Sequence, residues 1–403
     1  MTRQPKFSNA AVAKDSSAGT ATKRPGCPKA QYITDFHPER TPLVRMNGVC
    51  PYFTMFPLPF PYRRLRKEPR GLRVLDPFCG RGTTNFAARL LGLESVGLDS
   101  NPVAAAVAQS KLVKVSADEV YQACQIALAE ANAGTPHRGD FWSLCYDHKT
   151  LREICAVRNH FLAKRSLTEA QVALRAILLG ILHGPVRKGA PTYLSNQMPR
   201  TYSTKPGSAI AFWRKHNMRP VYVAVLDALK RRAEYLLKEV PLRANGHVRL
   251  ADSRERESYE NLGTFDLVVT SPPYLGMRTY WPDQWLRNWF LGGPALVEYA
   301  RADQITTQDQ EKFTSDLAAV WKQSAKVCRS GAKLVVRFGA LPSYGADPST
   351  LIKESLQQAD CGWVVQTITD AGAAPDGKRQ ADQFGAGQTD SIAEIDVHCR
   401  LET

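Results

Sequence analysis

The chain has 403 residues, 43% of them hydrophobic, enough for one large domain with an insertion or for two domains. Its formal net charge is +15, which fits a polyanionic partner and above all nucleic acid. No apolar run approaches the roughly 20 residues of a bilayer span, and the nine cysteines contain no Cys-x-x-Cys pair, so the reading is a cytoplasmic protein with no zinc site and no disulfide framework.

Residues 1–30 are rich in Ala, Thr, Ser and Lys without periodicity and read as a disordered tail. Over the first 70 residues basic side chains outnumber acidic ones about three to one. Residues 31–70 are dense in proline and aromatics, as in Val49-Cys50-Pro51-Tyr52-Phe53-Thr54-Met55-Phe56-Pro57, which rules out a central strand. A short apolar run, 72–75, then reads as a buried strand ending in Asp76. It is followed by the turn Gly80-Arg81-Gly82 and a helical stretch over 84–91. The two glycines allow a sharp turn and a close ligand approach. A second strand, 95–98, ends in Asp99, the position where an acid holds a ribose diol, and a helix follows over 102–110. This is the first half of a doubly wound nucleotide-binding sheet.

The alternation then stops. Between about 117 and 240 only helical signals occur, at 119–133, 151–163, 169–183 and 221–238, around an irregular stretch over 183–220. This predicts a helical insertion. From Gly184 to Pro220 there are seven Lys/Arg and no acid. Arg187, Lys188, Arg200, Lys205, Arg214 and Lys215 are candidate phosphate contacts. Tyr193, Asn196, Gln197, Tyr202 and Trp213 are candidates for reading or stacking on a base. The insertion therefore reads as a target-recognition, DNA-binding element, against the plainer alternative of a basic surface loop. The sheet resumes at 247–251, ending in Asp252-Ser253, and at 265–270, which delivers Ser271-Pro272-Pro273-Tyr274. Helices at 283–290 and 310–327 follow, then strands at 333–338, 363–368 and 392–399, the last two suited to an antiparallel edge. Between them, the polar and basic run 377–384 is a further candidate DNA contact.

Asp76-Pro77-Phe78-Cys79-Gly80-Arg81-Gly82-Thr83-Thr84, with Gly97-Leu98-Asp99-Ser100-Asn101-Pro102 behind it, resembles the S-adenosylmethionine loop of the DNA methyltransferases that methylate exocyclic amino groups. Thr270-Ser271-Pro272-Pro273-Tyr274 resembles their catalytic tetrapeptide with its preceding residue. The resemblance covers about residues 50–115 and 245–400. It implies a Rossmann-like class I methyltransferase fold: a mostly parallel seven-stranded sheet with an antiparallel edge, plus the helical insertion over 117–240. Residues 31–116 and 241–403 then form the catalytic domain. S-adenosylmethionine is the implied cofactor and double-stranded DNA the implied partner, in a nucleoid-associated, restriction-modification or host-defence setting that admits a cognate restriction endonuclease. The implied cofactor contacts are Tyr52, Phe53, Asp76, Phe78, Gly80, Gly82, Thr83, Asp99, Asn101, Pro102, Asp252 and Ser253. Of these, Tyr52 and Phe53 close over the methionine end and Asp252 lies at the adenine. The family usually has Ser between the glycines; here Arg81 either pairs with the cofactor carboxylate or faces solvent.

The chemistry follows from the tetrapeptide. An exocyclic amine is a poor nucleophile because its lone pair is delocalised into the ring. Two acceptors, the Ser271 hydroxyl and the Pro272 carbonyl, hold both N–H groups and favour a pyramidal nitrogen. Pro272 and Pro273 stiffen the backbone that carries them, and Tyr274 stacks on the extruded base. No covalent nucleophile or metal is needed. Asp or Asn in the first position goes mostly with adenine-N6 in the family and Ser mostly with cytosine-N4, so Ser271 points to cytosine-N4, with adenine-N6 second. Two alternatives stand beside this: an RNA methyltransferase, and a DNA-binding subunit that keeps the fold without catalysis. RNA guanine-N2 enzymes share a similar glycine loop but usually show Asp-Pro-Pro-Tyr, and the intact tetrapeptide speaks against a non-catalytic subunit.

Overall fold

The computed structural model describes residues 33–51, 56–130, 134, 136–184, 193–196, 205–243, 245–276, 281–299, 304–340, 344–371 and 394–402. The predicted tail, Tyr52, Phe53, Arg187, Lys188, Gln197, Arg200, Tyr202 and the run 377–384 lie outside these residues.

In chain order the elements are α1 Pro59–Leu65, β1 Arg73–Asp76, α2 Thr83–Leu90, β2 Glu94–Asp99, α3 Pro102–Ser110, α4 Ala117–Glu130, α5 Asp140–Cys145 and α6 His148–Ala163. There follow α7 Glu169–Ile181, α8 Pro206–Lys215, α9 Val225–Leu236, β3 Gly246–Leu250, β4 Phe265–Thr270, α10 Trp285–Phe290 and α11 Gln310–Lys326. The last are β5 Cys328–Gly339, α12 Pro348–Ala359, β6 Trp363–Asp370 and β7 Glu394–Leu401. The chain divides into two compact units. One comprises Met1–Cys50, Val113–Arg243 and Leu286–Ala295; the other comprises Pro51–Leu112, Ala244–Trp285 and Leu296–Thr403.

The second unit holds one seven-stranded sheet in the order β3-β2-β1-β4-β5-β7-β6. Strands β1 to β5 pair in parallel, and β7 runs antiparallel to both β5 and β6. This is the mostly parallel sheet with an antiparallel edge that the sequence predicts. Central strands of such a sheet are covered on both faces, which explains the unbroken apolar runs Val74-Leu75 and Leu267-Val268-Val269, all buried. Strand order reverses at β1, which lies between β2 and β4, and ligands of doubly wound sheets sit beyond the carboxyl ends of strands at such a switch point. On one face, Phe313, Leu317 and Trp321 of α11 and Leu351, Ile352 and Leu356 of α12 join the core with Leu75, Val268, Leu334 and Val336. The Trp321 indole donates to Ser355 Oγ at 2.9 Å, which fixes the two helices to each other.

The first unit is helical. Helix α7 opens on a capping box between Thr168 and Gln171 and buries Leu174, Ile177, Leu178 and Ile181. This helix falls where the sequence signals one, and its apolar run is packed into the core. A second cluster is aromatic: Trp142 and Trp289 lie 4.6 Å apart between centroids, His137 stacks on Trp142 at 4.9 Å, and Phe141 meets Trp213 at 5.8 Å. Among the described residues no helix is long and apolar enough to cross a membrane, and no group of three or more His, Cys, Asp or Glu side chains is gathered to hold a metal ion.

Candidate active site

Strand β1 carries Asp76 to its carboxyl end, where the side chain is fully buried. Its Oδ1 accepts from the Thr270 hydroxyl at 2.6 Å and from the Phe78 N–H at 3.1 Å. The other oxygen, Oδ2, has no partner. Burial pushes the carboxyl up to about 6, because hydrogen bonds from Thr270 and Phe78 only partly replace the lost water; the nearby Asp99 charge adds to the rise. The ends of the neighbouring strands β1 and β4 are thus tied by one short charge-assisted bond.

The two glycines do different work. Gly80 has φ +50° and donates its N–H to Asp99 Oδ2 at 2.8 Å, while Asp99 Oδ1 accepts from the Asn101 N–H at 2.8 Å. A Cβ on Gly80 meets nothing within 4 Å. Gly82, at φ +73°, has no such room: a Cβ there stands 2.7 Å from Ala108 Cβ and 2.9 Å from Ala108 Cα. Gly82 therefore serves the close packing of the loop on α3, whereas the space beside Gly80 is open. Arg81 is only 8% exposed, so the solvent-facing alternative does not hold. Thr83 is buried at the start of α2 with its hydroxyl oxygen unpartnered.

Several implied cofactor contacts have structural occupations. Asn101 is the N-cap of α3: its Oδ1 accepts from Val103 N at 2.9 Å and Ala104 N at 3.4 Å, and Pro102 takes the first helical position. The acceptor expected for the cofactor is thereby spent on the helix. Ser253 donates its hydroxyl to the Pro77 carbonyl and so ties the turn after β3 to the glycine loop. Asp252 is gripped by Arg254 at 2.6 Å, which also holds Asp316 at 3.0 Å. The half-buried Phe78 ring meets Trp321 edge-on at 6.1 Å.

Strand β4 delivers Ser271 half-buried, Pro272 buried and Pro273 half-buried. Tyr274 departs from expectation. Its side chain is in the core, 1% exposed, with its ring edge-on to Phe338 at 5.7 Å. Its hydroxyl donates to Glu394 Oε1 at 2.9 Å. Burial, and then the Glu394 carboxylate, hold the phenol well above its ordinary range. A ring packed this way presents no open face for a base, which does not fit the stacking role expected of it.

In the helical unit the candidates for base reading are also reassigned. Trp213 and Tyr193 are buried in the core. Asn196 donates its backbone N–H to Cys145 O at 2.6 Å and its amide to Leu144 O at 3.0 Å, so its polar groups serve the fold. Lys205, Arg214 and Lys215 are exposed at the two ends of α8. Arg214 makes a surface pair with Asp140 at 2.5 Å, an arrangement of little energetic weight that a phosphate can displace.

Residues the sequence did not single out complete the site: Thr270 on Asp76, and Glu394 on Tyr274. A hydroxyl ending β4 beside an acid ending β1 was legible once those strands are paired. Glu394, 120 positions from Tyr274, carries no local signal.

No protein-family model matches the chain, and no curated protein matches it. Among solved structures, it is similar to the rRNA methyltransferase aviRa from Streptomyces viridochromogenes, at 13% identity and TM-score 0.33 over 87% of each chain. It is also similar to geranyl diphosphate C-methyltransferase from Streptomyces coelicolor A3(2), at 9% identity and TM-score 0.33 over 85% of this chain and 78% of that one. A third is TrmN from Thermus thermophilus, at 10% identity and TM-score 0.31 over 85% of this chain and 48% of that one.

Proposed function

We propose that the protein is an S-adenosylmethionine-dependent methyltransferase acting on the exocyclic amine of a base in duplex DNA, with cytosine N4 as the preferred target and adenine N6 as the second. The observation that carries this reading is the Thr270–Asp76 hydrogen bond, which joins the glycine loop and the tetrapeptide at the carboxyl ends of adjacent strands. Both stand at the carboxyl ends of strands beside the switch point, the position that supports a ligand site in a doubly wound sheet.

The residues present fit the cofactor. Asp76 keeps an unpartnered carboxylate oxygen suited to an ammonium group, and Thr83 an unpartnered hydroxyl. Asp99 stands at the end of β2, where an acid holds a ribose diol, and accepts the Gly80 and Asn101 backbone N–H groups. The open space beside Gly80 admits close approach. When bound, the cofactor supplies an electrophilic methyl group. The chain's own part is to orient the amine: the Ser271 hydroxyl oxygen and the Pro272 carbonyl accept its two N–H bonds, so that the nitrogen lone pair is freed from the ring. The two prolines keep that carbonyl fixed before the base arrives. The net charge of +15 and the acid-free stretch 184–220 support a polyanionic substrate. A restriction-modification setting is the context this activity suggests.

The test is transfer of labelled methyl groups from S-adenosylmethionine to unmethylated plasmid DNA, run beside ribosomal and transfer RNA. Incorporation into DNA is expected. Incorporation into RNA alone moves the protein to the second class, and none into either removes the catalytic reading.

A further inference from the structure

The face of the sheet turned away from α11 and α12 carries a basic cleft. Leu334, Val336 and Phe338 of β5 join the core with those helices, so Lys333, Val335 and Arg337 alternate to the other face. There Arg337 lies over the Phe60 ring of α1 at 3.8 Å. A cavity of about 360 Å³ opens on this face. Its charged lining is Arg64 of α1, Lys67 just after α1, Lys333 of β5 and Arg400 of β7, against one acid, Glu68. The buried Leu267 and Val335 belong to its apolar lining. The cleft is set back from the carboxyl ends of the strands. Leu267, the β4 partner of Lys333, precedes Ser271 by four residues, about 13 Å along the strand.

The charges are gathered at a cost. Lys333 and Arg400 are direct partners across β5 and β7, so their side chains leave the same face side by side, and like charges in that relation repel. Glu68 answers Lys333 at 2.9 Å, and Asp396 answers Arg64 at 2.9 Å. Lys67 and Arg400, both exposed, have no ion-pair partner among the described residues. His398, opposite Val335, is half-buried in the same lining. Burial and the Arg64 charge hold its pKa below the usual imidazole value, with Asp396 opposing, so at neutral pH the ring is uncharged and has one N–H to donate. A multivalent anion in the cleft relieves the Lys333–Arg400 repulsion and gives Lys67 and Arg400 a partner.

The size of the cleft narrows the choice of anion. Small-ligand sites run from about 300 to 1,000 Å³ and combine apolar walls with a few polar groups. The cavity falls in that range, which suits a molecule with an apolar or planar body rather than a bare ion. Two cations without partners call for more than one negative charge. We propose that this cleft binds a nucleoside polyphosphate, with Lys67 and Arg400 on its phosphates and Leu267 and Val335 against its body.

The test is calorimetric titration of the full-length protein with adenosine triphosphate and, separately, guanosine triphosphate. S-adenosylhomocysteine is present in excess to fill the proposed cofactor crevice. Saturable binding of at least one nucleotide is expected, with pyrophosphate binding more weakly because it lacks the body. The double variant Lys67→Ala, Arg400→Ala changes two exposed side chains and is expected to lose at least about tenfold in nucleotide affinity, as for removal of charge-assisted hydrogen bonds. The double variant Lys312→Ala, Lys326→Ala makes the same change of net charge on exposed positions of α11 and is expected to stay within about twofold of wild type. Absence of saturable nucleotide binding, an unchanged affinity in the cleft variant, or equal losses in both variants overturns the proposal. So does a wild-type protein that binds neither nucleotide while the cleft variant loses affinity for a duplex DNA oligomer, which makes the cleft a DNA-backbone contact. Binding is read without methyl transfer, so a protein that methylates nothing leaves this proposal standing, and failure here leaves the methyltransferase reading intact.

Discussion

Asp76 is the most exacting place to test the site physically. The carboxyl ordinarily titrates at 3.8 and here at about 6, with burial the largest cause. Between those values the folded protein holds a proton that the unfolded chain has lost. Stability therefore falls as pH rises through that window and is flat above it. The shift corresponds to about 3 kcal/mol of stability given up at pH 8 relative to pH below 3.8. Asp76→Asn removes the ionisation. Its carbonyl keeps the Thr270 and Phe78 hydrogen bonds, while its amide nitrogen occupies the unpartnered Oδ2 position and costs about 1–2 kcal/mol. The variant is thus expected to be about 1–2 kcal/mol more stable than wild type at pH 8 and less stable than wild type near pH 4, while binding the cofactor more weakly. The assay is urea unfolding of both proteins across pH 4 to 8, where groups common to both cancel in the difference. A difference that stays constant over that range refutes the burial argument.

Other substitutions separate the roles assigned within the loop. Gly82→Ala drives a Cβ into Ala108 at 2.7 Å and forces a side chain onto φ +73°, so a thermal melt should show a loss of about 2–4 kcal/mol. Gly80→Ala enters open space and should cost only about 1–2 kcal/mol, yet calorimetry should show weakened cofactor binding. Asn101→Ala should cost about 1 kcal/mol as a lost N-cap and leave cofactor affinity within about twofold; a tenfold loss of affinity reinstates it as a ligand. Replacing Lys205, Arg214 and Lys215 with Ala should flatten the slope of log affinity for DNA against log salt by about 2–3 if all three meet phosphates. An unchanged slope removes α8 from the interface.

Much of the sheet was legible because its strands are apolar runs ending in an acid or a hydroxyl, and parallel strands need no more than that. The site's two motifs were legible for the same reason: each begins where such a run stops. What escaped was hidden by proline or by distance. Helix α1 contains Pro59 and Pro61, and prolines in a first turn start a helix as readily as they break one further in. Helix α8 lies inside the stretch read as irregular, again with proline at its first position, Pro206, and with Trp213 turned into the core. Helix α12 begins on Asp347-Pro348, a cap and first-position pair that marks a helix start in the sequence. The burial of Tyr274 was not readable from Ser-Pro-Pro-Tyr at all, since it depends on Phe338 and Glu394, which reach it only through the sheet.

The central claim is that Ser271 and Pro272 present two acceptors to an exocyclic amine. Its most direct measurement is the mass and identity of the modified nucleoside in DNA digested after incubation with the protein and S-adenosylmethionine. N4-methylcytosine is the predicted product. N6-methyladenine corrects the base and keeps the mechanism, whereas 5-methylcytosine, made at ring carbon by a covalent route these residues do not provide, contradicts it.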